Sequence, residues 1–481
     1  MTARTLAKAV CAILAILAAG PIKAQSTDPV LEQIQARPRA APDGRTMEIT
    51  TGFVSVPERR ADAAPRPRQI RLAVVRIRWA GAGQGVANML LAGGPGDSGT
   101  RLLSGLPAAR AAALLDLMGG DVVSFDQRGT GRSQPNLALP DPIMLPFEVA
   151  GSIEAWLPPI EAAARRARRL FVDSGVNLAA YNSIESADDV DAVRRALGYA
   201  RISLWGRSYG SHLALATVRR HPEGIARLIL VGPEGPDHTL KLPSQTDAVI
   251  RRIGERASAP ELPDVMRTVL DRLRRRPVLL TVAQPNGAEQ RITVGAFDLQ
   301  RLTAQALGDP RALATLPIAY REMAAGDFSR VGPLLLSSRT WRLGSAMKQM
   351  MDVASYASPS RVERIRREAK AALLGSAMNF PTMELHTAWP DADLGADYRM
   401  PVRSDVPALI LVGDLDARTP VENAREIALG LPNAKVVVIE NGAHQFDMFG
   451  ETAIQPVLRA FLGNRPVTVE SIRLPAIPFQ R

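Results

Sequence analysis

Cysteine is almost missing from this chain: Cys11 is the only one in 481 residues. Residues 25–481 therefore offer no thiol nucleophile, no disulfide and no cysteine-ligated zinc. Stability has to come from a buried core, and the length is ample for one. Lysine is scarce too, at six of the 59 basic residues, and aromatic residues make up 5%. No basic stripe interleaved with aromatics accompanies the net charge of +11, so nucleic acid is not expected as a partner. The densest arginine clusters, Arg165 to Arg169 and Arg274 to Arg276, fall in or at the end of helix-like segments. Positive charge near a helix C-terminus is ordinary electrostatics. Long apolar runs are confined to the start. Arg4 and Lys8 precede the apolar stretch Ala9 to Gly20, and Ala24 stands before Gln25. This order reads as a signal peptide over residues 1–24, too short to span a bilayer comfortably. The expectation is an exported protein, secreted or periplasmic, without stable membrane insertion once the signal is removed.

What remains is a rhythm of short apolar runs bounded by turn residues: Asn88 to Leu91, Val122 to Phe125, Ile202 to Trp205, Leu228 to Val231, Ala408 to Val412 and Val436 to Ile439. Such runs suit a sheet buried on both faces. Upstream, Met47 to Val56 and Gln69 to Trp79 alternate like a β-pair, after a proline-rich leader from Gln25 to Arg45. Between the runs lie helical periods. The clearest is predicted from Ser186, with Asp188 and Asp189 in the positive first turn and Gly198 at its end. Strand and helix in alternation predict an α/β fold with a mostly parallel, doubly wound sheet. Residues 237–400 break the rhythm with helix-rich segments such as "PDVMRTVLDRLRRRP". They are expected to be a helical cap inserted between a first core half (25–236) and a second (401–465), with a tail over 466–481.

The stretch "ISLWGRSYGSHLAL" sets a Gly-x-Ser-x-Gly pentapeptide between a strand and a helix. A nucleophile elbow needs that position: the turn strains the serine backbone, and Gly206 and Gly210 leave room for close approach. Ser208 is the candidate nucleophile. Acyl transfer also needs oxyanion donors. The N–H of Tyr209 is one candidate, and Gly94 in "LLAGGPGDSG" is the second. A serine nucleophile needs a histidine base, and only five histidines are present. His212 and His221 lie on the elbow helix itself and at its end, and His238 and His386 near the two ends of the inserted block. His444, in "VVVIENGAHQF", follows the last apolar strand on a loop. The orienting acid precedes it in "ALILVGDLDARTP", as Asp414 or Asp416. Asp416 is favoured because it stands clear of the strand end, whereas Asp414 can satisfy loop N–H groups. The chemistry requires no metal and no cofactor.

Five stretches together ("LLAGGPGDSG", "VVSFDQRGTGRS", "GRSYGS", "VGDLDARTPVENA" and "NGAHQ") resemble, in order and approximate spacing, the proline iminopeptidase and tripeptidyl-aminopeptidase-like family of serine α/β-hydrolases. The resemblance covers roughly Gly52 to Pro236 and Val402 to Gly463. It implies the α/β-hydrolase fold, the triad Ser208, Asp416 and His444, an oxyanion hole at Gly94 and Tyr209, and a cap that shapes substrate choice. Asp126 and Arg128 correspond to a structural turn beside the site. Ala92 before the glycines and Gly-Arg-Ser-Tyr-Gly at the elbow are nearer the tripeptidyl-type branch than the iminopeptidases proper. The expected substrate is a small peptide cleaved at its N-terminal end, or alternatively a carboxylic ester. An aminopeptidase needs carboxylates for the substrate ammonium, and Glu234, Glu384, Asp391 and Asp393 flank or lie in the cap. The reading from another class, a non-catalytic secreted binding protein, would be expected to have lost a triad member.

Overall fold

The computed structural model describes residues 29–61, 67–83, 85–390 and 393–480. The expected signal peptide, Cys11 and Asp391 lie outside the described residues. Sixteen strands are present among them: β1 (Leu31–Ala40), β2 (Thr46–Pro57), β3 (Gln69–Trp79), β4 (Ala87–Leu91), β5 (Val122–Phe125), β6 (Ala138–Leu139), β7 (Ile143–Met144), β8 (Ile202–Ser208), β9 (Ile225–Pro233), β10 (Val278–Ala283), β11 (Glu289–Val294), β12 (Thr340–Trp341), β13 (Gly344–Ser345), β14 (Ala408–Gly413), β15 (Ala434–Glu440) and β16 (Ser471–Arg473). Ten of them form one sheet in the order β1-β2-β3-β5-β4-β8-β9-β14-β15-β16. From β5 to β16 every pairing is parallel, while β1, β2, β3 and β5 pair antiparallel.

The strand alternation shows why both faces are covered. Leu228 and Leu230 of β9 enter one core cluster, while Ile229 and Val231 enter another on the opposite face. Helices α1 (Gly99–Ser104), α2 (Ala108–Met118), α3 (Ile153–Asp173), α4 (Ser183–Ala196) and α5 (Tyr209–Arg220) lie in the first half. The cap carries α6 (Pro243–Arg256), α7 (Leu262–Arg275), α8 (Ala296–Ala306), α9 (Pro310–Ala325), α10 (Gly332–Ser337), α11 (Ala346–Ser355), α12 (Pro359–Ala369), α13 (Thr382–Leu385) and α14 (Gly395–Arg399). The chain then returns to the core with α15 (Val421–Ala428) and α16 (Gln455–Leu462). Helices α4, α5 and α15 pack on one face of the sheet, and α2 and α16 on the other.

Helices α6 to α9 build a cluster of their own that also takes in Leu415, Ala417 and Ala443. These three residues flank Asp416 and His444. The cap core therefore packs directly on the loops that carry those groups. The first half reaches into the cap as well: β6 pairs with β13 and β7 with β12, and the Gly151 N–H donates to Asp298 at 2.7 Å.

Three local expectations differ from the structure. The proline-rich leader contains β1, an edge strand on which Pro38 is tolerated because its missing N–H faces no partner strand. The tail contains β16, the opposite edge of the sheet. Helix α4 starts at Ser183 rather than Ser186, because Asn182 accepts from the Ile184 and Glu185 N–H groups as its cap. Asp188 and Asp189 are consequently not first-turn acids. Asp188 binds Arg220 and His221, and Asp189 binds Arg60 and Arg128. Cap-like residues misplace a helix start when tertiary ion pairs need the same acids.

Candidate active site

Parallel pairing sets β8 beside β4, with Gly206 opposite Leu91. The turn at the end of β8 is as tight as the pentapeptide predicts. A Cβ on Gly206 would run into the Gly210 carbonyl, and one on Gly210 into the Leu91 carbonyl of β4. Ser208 has φ 54° and ψ −127°, a conformation rarely adopted by a side-chain-bearing residue. It holds the cap position of α5, yet its side chain makes no capping bond, so its hydroxyl is not consumed by the helix. The Tyr209 N–H that follows is the first of the helix and has no acceptor inside it.

The glycine loop after β4 closes over the elbow. A Cβ on Gly93 would stand 3.0 Å from the Arg207 carbonyl and 3.5 Å from the Ser208 Cβ. Next to it, Gly94 has φ +109° and is exposed, a backbone conformation that suits glycine. Gly96, in the same loop, would place a Cβ 3.4 Å from Ser345 Oγ of the cap. The cap thus reaches the edge of the candidate oxyanion hole.

On the other side, β14 and β15 lie next to β9 and end in the loops that hold Asp416 and His444. His444 Nδ1 and Asp416 Oδ2 are 2.8 Å apart, with Asp416 1% and His444 8% exposed. The carboxylate is almost fully satisfied. Oδ1 accepts from the N–H groups of Arg418 and Thr419 at 2.8 and 2.9 Å, and Oδ2 accepts from Thr419 Oγ1 at 2.7 Å. Burial pushes the Asp416 pKa up, but the charge and hydrogen bond of His444 and the Thr419 donors outweigh it, and the carboxyl sits below its usual value. With Nδ1 donating to the acid, His444 Nε2 is the nitrogen left to accept a proton. Asp414 turns elsewhere: it accepts from the Asn441 N–H and pairs with Arg256, both at 2.8 Å. Of the two acids the sequence offers, the histidine takes Asp416.

The other histidines are engaged away from this pair. His212 is fully buried, with Nδ1 3.1 Å from the Gly235 carbonyl and Nε2 2.6 Å from the Tyr398 hydroxyl. Burial pushes its pKa down to about 4. His221 binds Asp188, His238 lies 3.2 Å from Glu426, and His386 stacks on Tyr356.

Three groups that bear on the site carry weak sequence signals. Arg207 is the variable residue of the pentapeptide, yet its guanidinium donates to the Phe446 carbonyl at 2.6 Å and the His444 carbonyl at 3.4 Å. It ties the elbow strand to the histidine loop. Thr419 Oγ1 lies 3.2 Å from His444 Nδ1 as well as binding Asp416. Gly232, with φ +51°, leaves space where a Cβ would stand 3.0 Å from Asp416 Oδ2 and 3.3 Å from His444 Nδ1. Its only forewarning is a glycine at the end of an apolar strand.

Asp126 and Arg128 are scaffold. Asp126 accepts from Ser98 and Thr100 hydroxyls and from the N–H groups of Thr100 and Arg132. Among the acids considered for an ammonium, Glu234 is ion-paired with Lys241 and Asp393 with Arg399. Glu384 alone of the described three has an oxygen, Oε2, buried without a hydrogen-bond partner among the described residues. The methionines of "GSAMKQMM" are core: Met347, Met350 and Met351 are at most 1% exposed. A cap cleft of about 700 Å³ lies around Tyr356, His386 and Trp389. It is the triad geometry, not cavity size, that locates the candidate site. No cluster of metal-binding side chains and no helix long and apolar enough to cross a membrane is found among the described residues.

The profile of the alpha/beta hydrolase fold family matches residues 89–450. A tripeptidyl aminopeptidase of Streptomyces coelicolor is 32% identical over 192 residues, 38% of this chain and 34% of that protein. The serine protease Hip1 of Mycobacterium tuberculosis is 28% identical over 180 residues, 36% of this chain and 34% of its own length. The matched segments thus span about a third of the curated relatives. Among solved structures, a proline iminopeptidase-related protein from Thermus thermophilus is 20% identical, covering 86% of this chain and 97% of that one at a TM-score of 0.38.

Proposed function

The chain belongs to the alpha/beta-hydrolase family, and on that premise we propose that it is an exported serine hydrolase that removes N-terminal residues or short peptides through an acyl-enzyme. One observation carries the reading: a buried 2.8 Å His444–Asp416 pair whose loop is bound by Arg207, the residue beside a strained Ser208. His444 accepts the Ser208 proton as Oγ attacks the substrate carbonyl. Asp416 holds the ring in the tautomer that can do so and stabilises the imidazolium that forms. The N–H groups of Tyr209 and Gly94 take the oxyanion. The protonated His444 then gives its proton to the leaving group, and water, deprotonated by the same ring, releases the acyl part.

Peptide cleavage is supported by the tripeptidyl aminopeptidase and serine protease among the relatives. Export is supported by the signal-like order of residues 1–24. The second reading is a carboxylesterase. It is favoured by the ion pairs that already occupy Glu234 and Asp393, leaving Glu384 as the unpaired carboxylate for a substrate ammonium.

The test uses the protein from Gln25 onward with aminoacyl and tripeptidyl p-nitroanilides, N-terminally free and blocked, and short p-nitrophenyl esters. Turnover of free but not blocked anilides establishes the exopeptidase, and turnover of esters alone establishes the esterase. A fluorophosphonate probe is expected to label the wild type and not Ser208→Ala. Equal labelling of both, or of neither, overturns the serine-hydrolase reading.

A further inference from the structure

The cap holds a buried cation that its own neighbours do not neutralise. Arg301, on α8, is 9% exposed. Its Nη1 donates to the Ala377 carbonyl, and its guanidinium carbon lies 5.0 Å from the centre of the Trp341 ring and 5.7 Å from that of Phe380. These contacts fix the plane of the fork. They leave its Nε edge without an acceptor among the described residues. A second cation stands close by, and no acid forms an ion pair with Arg301 among the described residues. Arg418 donates to the Gln305 carbonyl, one turn along the same helix, at 3.3 Å. Burial, with Arg418's charge adding to it, pushes the Arg301 pKa down to about 10, and Glu384 attracts it only weakly from a distance. A buried, unpaired charge beside a like charge is costly to keep. It persists most readily where an anion completes it.

The surroundings suit an anion and are connected through the chain to the loops of the candidate active site. Arg301, Gln305, Ser337, Ser338, Thr340 and Trp341 line a cleft of about 360 Å³. One wall, β12, continues through β13 to Ser345, which stands against Gly96 of the glycine loop. The other wall is α8, whose last turn holds Arg418, two residues beyond Asp416. The chain therefore links this cleft to the glycine loop on one side and to the Asp416 loop on the other. With Nη1 occupied, the enclosed Nε and the neighbouring Nη2 remain as two donors whose spacing matches the two oxygens of a carboxylate.

We propose that Arg301, backed by Arg418, is an anion subsite of this enzyme, and that its substrate carries a carboxylate taken by this cleft. The inference rests on the serine-hydrolase reading for its substrate but not for its anion. The carboxylate belongs either to the acyl part of the substrate or to the leaving group, as the C-terminus of a short peptide would.

Two matched pairs separate these sources: p-nitrophenyl monoglutarate against p-nitrophenyl valerate, and a short peptide with a free C-terminus against its amide. The wild type is expected to favour the anionic member of one pair by roughly 10- to 100-fold in kcat/KM, the range for a charge-assisted hydrogen bond. Arg301→Gln brings that ratio close to one, and Arg301→Lys retains part of it. Equal kcat/KM within both pairs, or a ratio that survives Arg301→Gln, overturns the subsite; a purely structural arginine would lower the melting temperature and leave the ratio unchanged. If Arg301→Gln does not fold, the wild-type ratio and that of Arg301→Lys decide. Calorimetric titration of Ser208→Ala with glutarate reads the anion alone. Binding abolished in Ser208→Ala/Arg301→Gln supports the subsite even if no substrate is hydrolysed. Fluorophosphonate labelling of the wild type without glutarate binding or substrate preference removes the subsite and leaves the hydrolase.

Discussion

Arg128 in the core and Arg301 in the cap are both buried guanidinium groups, and their surroundings are opposite. Arg128 is completely buried and faces Asp189 fork to fork, with Nε and Nη2 each 2.8 Å from a carboxylate oxygen. Its Nη1 donates to the carbonyls of Glu58 and Ala180 at 2.6 and 2.7 Å. No donor is left over, and the group locks the turn after β5 to α4. Arg301 has one carbonyl, two aromatic faces and no carboxylate in an ion pair among the described residues. A closed cation of the first kind is structure. An open one of the second kind, lining a cleft of the cap, is the proposed anion subsite. The contrast is one of individual groups: core and cap alike hold buried polar atoms without a partner among the described residues, and the cap's Arg339 is neutralised by Asp298 as Arg128 is by Asp189.

The largest effect is expected where the core is most tightly closed. Asp416→Asn leaves His444 in the wrong tautomer, so kcat on whichever panel substrate is turned over should fall by about 10⁴; a loss below tenfold would show that Asp416 does not orient the base. Next comes Arg128→Leu, which leaves the buried Asp189 carboxylate to Arg60 and takes a donor from the Glu58 and Ala180 carbonyls. Denaturant unfolding should register a loss of about 3–5 kcal/mol, and a near-neutral result would erase the contrast between the two arginines. His212 offers a test by pH. Its folded-state pKa of about 4 lies below the ordinary 6.5, so the unfolded chain binds the proton more readily. This contribution is present in full above about pH 6.5 and is lost as pH falls toward 4, amounting to about 3 kcal/mol. The difference in stability between the wild type and His212→Gln should shrink over that window. A difference independent of pH would show that the ring is not held neutral.

Smaller effects probe the fit. Gly232→Ala forces a Cβ against Asp416, Thr419 and His444 at a residue with positive φ. Kinetics should show kcat reduced by roughly 10- to 100-fold, the cost of displacing catalytic groups by a fraction of an ångström to one ångström. Smallest of all, Arg301→Leu strands no partner charge, so its unfolding free energy should stay within about 1 kcal/mol of the wild type. A loss as large as that of Arg128→Leu would place Arg301 among the structural cations instead.

Much of the candidate site was legible because its constraints are local. Gly206 and Gly210 stand two residues either side of Ser208 and are required by backbone approach within the same turn. Asp416 and His444 each follow an apolar strand, so their loops open at the same edge of a parallel sheet. Local signals misled where distant groups competed for the same residues. Asp188 and Asp189 look like first-turn acids, but Arg220 and Arg128 claim them, and Asn182 caps the helix. The strand within the leader was obscured by Pro38, which only an edge position permits.

The sequence by itself therefore pointed to the candidate nucleophile and the order of the candidate triad, and determined the buried parallel sheet, since each rests on residue type and spacing over a few positions. The tertiary structure showed that His444 takes Asp416, which the sequence only favoured over Asp414, that Arg207 ties elbow to histidine loop, and that Arg301 has Arg418 near it and no ion-paired acid among the described residues. Those outcomes depend on which side chains meet once distant stretches of the chain have folded together. A buried charge is closed or left open by neighbours that no local pattern can name.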